Sequence, residues 1–186
     1  MGEPAAGEVP DDVDVPDDVD DLLAAWVRER PGLEVEPLAV FSRVTRLARR
    51  LDIARRRTFA DHGLEVWAFD VLAALRRAGP PYELTPGRLV AETLVSSGTM
   101  TNRVDRLVER GLVARAGVEE DRRLVLVRLT DAGAGLVDAA LTDLLAQERA
   151  ALEGLEPADR AALATLLRRL SLAFARATTG DDDAPG

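Results

Sequence analysis

The sequence contains no cysteine, no lysine and a single histidine, His62. Without thiols there is no disulfide framework, thiolate metal site or thiol redox sensor, and one imidazole cannot build a histidine metal cluster. Serine occurs only at positions 42, 96, 97 and 171, and neither a nucleophile–base set nor a carboxylate pair is legible. The expectation is a protein that is not an enzyme and uses no cofactor or metal. No run approaches the roughly 18 apolar residues of a membrane-spanning helix, and the N-terminus lacks the basic and apolar regions of a signal peptide. A cytoplasmic chain without a membrane partner is predicted.

What is present is arginine and acid, unevenly placed. All 24 basic residues are Arg, against 33 acids, for a formal net charge of -9. The N-terminal stretch carries Glu3, Glu8, Asp11, Asp12, Asp14, Asp17, Asp18, Asp20 and Asp21 without a base, and Asp181, Asp182 and Asp183 close the chain. The remaining 21 acids face 24 arginines, so the body is slightly basic. PDDVDVPDDVD, residues 10–20, is a low-complexity near-repeat with the composition of a disordered, solvated tail up to about Asp18. A DNA mimic competing for the protein's own basic surface is the alternative for this segment. With 186 residues, 47% of them hydrophobic, the chain can build one domain with a real core. The expected organisation is an acidic tail over 1–17, a single domain over 18–178 and a second acidic tail over 179–186.

Within that domain, Leu22, Leu23, Trp26 and Val27 give a short leading helix stopped by Pro31-Gly32. From Pro37 to about Ala60 an apolar stripe (Leu38, Phe41, Val44, Leu47, Leu51) runs along an arginine-rich helix that His62-Gly63 breaks. Leu64 to Ala78 predicts another helix, with Trp67, Ala68, Val71, Leu72 and Leu75 inward. Tyr82 to Leu84 is a minimal strand, Thr85-Pro86 opens a helix to about Leu94, and Ser96 caps the next, which closes on Gly111. Residues 112–118 and 123–130 read as a hairpin. Thr130-Asp131 caps a long helix ending near Gly154, and Glu156-Pro157 opens the last, with Leu163, Leu166, Leu167, Leu170 and Phe174 inward.

Helix, tight turn, helix and two-stranded hairpin is the order of a winged helix-turn-helix: a mainly α fold with a small β-wing, its second helix the reader. With Met100, Val104, Leu107 and Val108 inward, helical geometry turns Ser97, Thr99, Thr101, Asn102, Arg103 and Arg106 outward. Small residues at the helix start admit phosphate, and Asn and Arg suit adenine and guanine edges. At the hairpin tip, Arg122 or Arg123 is the right group for a narrow minor groove, with Asp121 pairing one of them. These eight residues are the DNA-binding candidates, and double-stranded DNA the expected partner. The competing class is a winged-helix protein-interaction module without direct DNA contact, for which the acidic overall charge argues.

The runs FDVLAALRRAG and LTPGRLVAETLVSSGTMTNRVDRLVERGLVAR, followed by the wing signature DRR-x3-V-x-LT-x2-G from Asp121 to Gly133, resemble the MarR (multiple antibiotic resistance regulator) family over about residues 38–177. The resemblance implies a homodimeric transcription factor, most often a repressor, that holds a palindromic operator with two winged lobes (about 64–130) and pairs through its N- and C-terminal helices (about 18–61 and 131–177). The long apolar stripes at both ends independently suit a large dimer interface. Half-site centres would lie about 10 base pairs apart. The leading helix with Trp26 is similar to an extra N-terminal helix in the urate-responsive branch. That likeness implies a ligand set of Trp26, Asp70, Arg103 and Arg115, suited to a small aromatic anion such as urate. A ligand recruiting Arg103 would move the reading helix and couple occupancy to DNA affinity.

Overall fold

The computed structural model describes residues 15–118 and 121–179; side chains at 118, 121–124 and 177–179 are outside the description. Ten elements follow in order: α1 Asp18–Glu29, α2 Glu36–Asp61, α3 Val66–Arg77, β1 Glu83–Leu84, α4 Pro86–Thr93, α5 Ser97–Glu109, β2 Val113–Val118, β3 Asp121–Leu129, α6 Asp131–Ala151 and α7 Pro157–Thr179. The chain divides into two compact units, the first ending at Arg56 and the second beginning at Arg57.

In the first unit, the acidic repeat is structural from Asp17 onward. Its carboxylate accepts from the Val19 and Asp20 amides, Asp20 accepts in return from the Asp17 amide, and together they form a capping box on α1. The same two carboxylates hold Arg43 of α2 at 2.7–2.9 Å, and Asp18 holds Arg46 at 2.8 Å. The hydrogen bond from Arg43 keeps the Asp17 carboxyl below its ordinary range, and Val19 between these acids is fully buried. The helix therefore starts where the tail reading ends, because its first turn has arginine partners 26 residues away. Residues 1–14 and 180–186, most of the two acidic tails, lie outside the described residues.

The second unit contains the winged lobe. α3 is its centre: Ala68, Phe69, Val71, Leu72, Ala73, Ala74 and Leu75 are buried, and the helix packs against α4, α5, α6 and β3. The core continues through Leu89, Met100, Val104, Leu107, Leu112, Val113, Val127 and Leu129 to Val137, Ala140 and Leu144 of α6. Phe59 stacks on Phe69 with ring centroids 4.0 Å apart. Arg76 of α3 clasps Asp138 of α6 through three hydrogen bonds of 2.9–3.2 Å, which raise the guanidinium's pKa further.

β2 and β3 form the antiparallel hairpin, and β1 joins it on the other side of β3, with Glu83 opposite Arg128 and Leu84 opposite Val127. β1 thus extends the wing hairpin into a three-stranded sheet. Gly133, the last residue of the wing signature, has a specific reason: a Cβ there would lie 2.1 Å from the Leu112 carbonyl oxygen. Thr130 caps α6 through the Gly133 amide and donates to the Leu112 carbonyl, tying helix to sheet.

Two sequence expectations need correction. Of the apolar residues assigned inward on α7, Leu163 (39%), Leu166 (58%), Leu167 (41%) and Phe174 (58%) are exposed and Leu170 is half-buried, and none of the helix's described residues is buried. Helical periodicity identifies an apolar face but not what covers it. Trp67, also expected inward, is half-buried, while Phe69 occupies the core instead.

Candidate nucleic-acid interface

α4 and α5 meet across Leu94 and Val95. Thr85 caps the first helix through the Arg88 amide, Pro86 occupies its first turn, and Leu94 ends it in the left-handed region at φ 54°. Ser96 caps α5, accepting from the Thr99 amide at 3.4 Å and sharing a 2.9 Å hydrogen bond with the Thr99 hydroxyl. Gly111, at φ 68°, follows its last turn in the backbone region that favours glycine.

Met100, Val104 and Leu107 are buried on one side of α5. On the other, Ser97, Thr99, Thr101, Asn102 and Arg106 are exposed and Arg103 is half-buried. Thr101 donates to the Ser97 carbonyl at 3.1 Å, and the exposed Asn102 amide carries both donors and an acceptor. A cleft of about 450 Å³ is lined by Trp67, Gly98, Thr99, Asn102, Arg103 and Arg106, so the structure brings four of the predicted DNA contacts together at one opening.

Its floor was not visible in the sequence. The Arg106 and Arg103 guanidiniums lie over the Trp67 ring, 4.7 and 5.6 Å from its centroid, and Glu65 accepts from Arg106 at 2.9 and 3.1 Å. Glu65 occupies the N-cap position of α3 but caps no amide with its side chain, which is committed to Arg106. The available signal was the i, i+3 spacing of two arginines, which puts both on one ridge of the helix. What they would meet depended on the α3–α5 packing.

The wing arginines Arg122 and Arg123 belong to the start of β3, and their side chains and that of Asp121 are outside the described residues. The four ligand candidates are described unit by unit. Trp26 is on α1 in the first unit and 44% exposed. Asp70 lines a second cleft of about 220 Å³ with Arg77, Glu92, Thr93 and Leu94, Arg103 lines the Trp67 cleft, and Arg115 on β2 pairs with Asp105 of α5. Among the described residues, no group of three or more His, Asp or Glu is placed to hold a metal ion, and no helix is long and apolar enough to cross a membrane.

The sequence pattern of the MarR family matches residues 62–124, from the turn before α3 into the wing. The chain is 35% identical over 153 residues to the HTH-type transcriptional regulator PecS of Dickeya dadantii, covering 82% of this chain and 92% of that protein. The chain belongs to the MarR family. Its members are transcriptional regulators rather than enzymes. Among solved structures, the Bordetella bronchiseptica regulator BpsR, whose DNA binding is regulated by 6-hydroxynicotinic acid, is 32% identical with a TM-score of 0.58, covering 71% of this chain and 92% of its own. A mutant MarR from E. coli complexed with operator DNA is 26% identical with a TM-score of 0.60, covering 73% of this chain and 96% of its own. In this MarR-family chain the helix corresponding to the sequence-predicted reader is α5, and the wing is β2 and β3.

Proposed function

We propose that this MarR-family protein is a sequence-specific repressor that binds a palindromic operator as a homodimer. The observation carrying this reading is the outer face of α5. Hydroxyls, one carboxamide and two guanidiniums occupy one side of a capped helix whose opposite side is locked into the lobe's core. Such a face suits a major groove: its N-terminus accepts a phosphate while Asn102, Arg103 and Arg106 reach base edges. Arg122 and Arg123 complete the contact set at the wing. The E. coli relative bound to operator DNA supports the same use of the fold. A cytoplasmic location follows from access to DNA.

The dimer reading is supported by apolar residues that stay exposed in each unit, such as Val44, Leu47 and Leu51 on α2 and Leu163, Leu166 and Leu167 on α7. Exposed stripes of this kind in a single chain fit an obligate interface.

For the effector, the reading is a small aromatic anion such as urate, taken by Trp26, Asp70, Arg103 and Arg115. BpsR's response to 6-hydroxynicotinic acid, a flat aromatic acid, supports the ligand class. Arg103 and Arg115 supply charge, Trp26 an indole, and Asp70 an acceptor for ring N–H. Because Arg103 lies on α5 and the Arg115 partner, Asp105, does too, recruiting either arginine acts on the reading helix.

Retention of duplex DNA across a salt series tests the DNA reading. A steep loss of affinity with salt is expected from counterion release, whereas a protein-interaction module would show no duplex retention. Thermal melting with urate and 6-hydroxynicotinic acid tests the effector. A rise in Tm in the wild type that Trp26→Ala and Arg115→Ala abolish supports the set, and an equal rise in all three sinks it.

A further inference from the structure

We propose that Trp67 is a positioning residue for DNA sequence discrimination: its indole, with Glu65, holds the Arg103 and Arg106 guanidiniums as a preformed pair on the reading helix. The inference rests on the DNA reading above and adds to it a residue that itself touches no base.

The geometry sets the roles. Both guanidinium carbons lie over the one indole, at 4.7 and 5.6 Å from its centroid, although the arginines sit on α5 and the tryptophan on α3. Glu65, two residues before Trp67, fixes the orientation of Arg106 by accepting from its Nη2 with both carboxylate oxygens. Trp67 is itself anchored, since it packs against the buried core formed around Ala68, Val71 and Leu72. A rigid platform thus supports side chains that are otherwise the most mobile on the helix.

The physical consequence follows from what arginine loses on binding. A free arginine carries rotamer entropy that a base contact must overcome. Stacking on an aromatic face restricts that freedom before DNA arrives without using the in-plane N–H donors, of which Glu65 holds those of Arg106 Nη2. Thr99 and Asn102 line the same cleft, so a base edge entering it would meet the arginines beside a hydroxyl and a carboxamide. Shuffled DNA is held by charge alone, which both arginines keep whatever lies beneath them. Loss of the platform therefore reduces discrimination more than non-specific affinity.

The test uses the full-length protein and the duplex it enriches from a randomised pool, with a shuffled duplex of the same composition as reference. Trp67→Leu is expected to weaken the enriched duplex about tenfold and the shuffled one less than about twofold. Trp67→Phe, which restores an aromatic face, should stay within about threefold of wild type on both. Equal weakening of the two duplexes, or no weakening of either, overturns the proposal. A wild-type protein that enriches no duplex overturns the DNA reading beneath it, a distinguishable failure.

A measurement on the unaltered protein covers the case in which Trp67→Leu does not fold. NMR of the arginine side chains should show Arg103 and Arg106 δ and ε protons moved upfield by the indole ring current. Resonances at random-coil positions in the free protein would overturn the platform.

Discussion

Helices α3 and α7 are both built largely from Ala, Leu and Arg, yet their fates in the chain are opposite. Seven of the twelve residues of α3 are buried, while none of the described residues of α7 is, and its Leu166 and Phe174 are each 58% exposed. An apolar stripe stabilises a fold only where another element covers it, and α3 is covered by α4, α5, α6 and β3. The difference marks one helix as the foundation of the reading lobe and the other as surface that a second copy is proposed to cover.

Perturbing the foundation should produce the largest effects. Gly133→Ala forces a methyl to within 2.1 Å of the Leu112 carbonyl, separating α6 from the sheet, and should destabilise the protein by about 3 kcal/mol or more in urea unfolding. Leu72→Ala, at a fully buried position of α3, should cost about 2–5 kcal/mol by the same measurement. A loss under about 1 kcal/mol would mean that α3 is not the centre of the core.

The converse substitution tests the bare helix. Leu166→Glu removes no buried contact within the chain, so the lobe should retain its fold by circular dichroism, while the dimer dissociation constant rises by about 100-fold or more. Sedimentation reads this directly. An unchanged dimer would place the interface away from the α7 stripe.

Smaller effects sharpen the contrast at the helix ends. Ser96→Ala removes the α5 cap and should lower stability by about 1 kcal/mol, with a matching loss of duplex affinity if fraying reaches Thr99. The smallest concerns the acidic repeat in the first unit. Arg43 holds the folded Asp17 carboxyl below its ordinary value. Its stabilisation of α1 is therefore complete above the usual carboxylate range and is lost as pH falls through the depressed value. Asp17→Asn should reduce α1 helicity near neutral pH and flatten that acid dependence, measured by amide exchange in α1.

Much of the lobe was legible because its signals are local. Thr85, Ser96 and Thr130 cap helices where their sequence positions predict, and Gly111 follows α5 in the left-handed region. Arg115 and Trp67 were less legible. Arg115 is a plausible anion ligand by type, but its guanidinium faces Asp105 of α5, a pairing set by how the strand lies on the helix. Trp67 satisfies the same helical stripe as Leu72, and periodicity could not tell an indole in the core from one beneath two arginines.

The sequence by itself determined the order of helices and strands, their caps, and which faces are apolar or charged, because those follow from side chains within a few residues of one another. The tertiary structure decided what each face meets: Asp17 and Asp20 on Arg43, Gly133 under the Leu112 carbonyl, and Trp67 beneath the reading arginines. These are contacts between residues far apart in the chain. Their distances depend on how whole elements pack, which no local periodicity encodes.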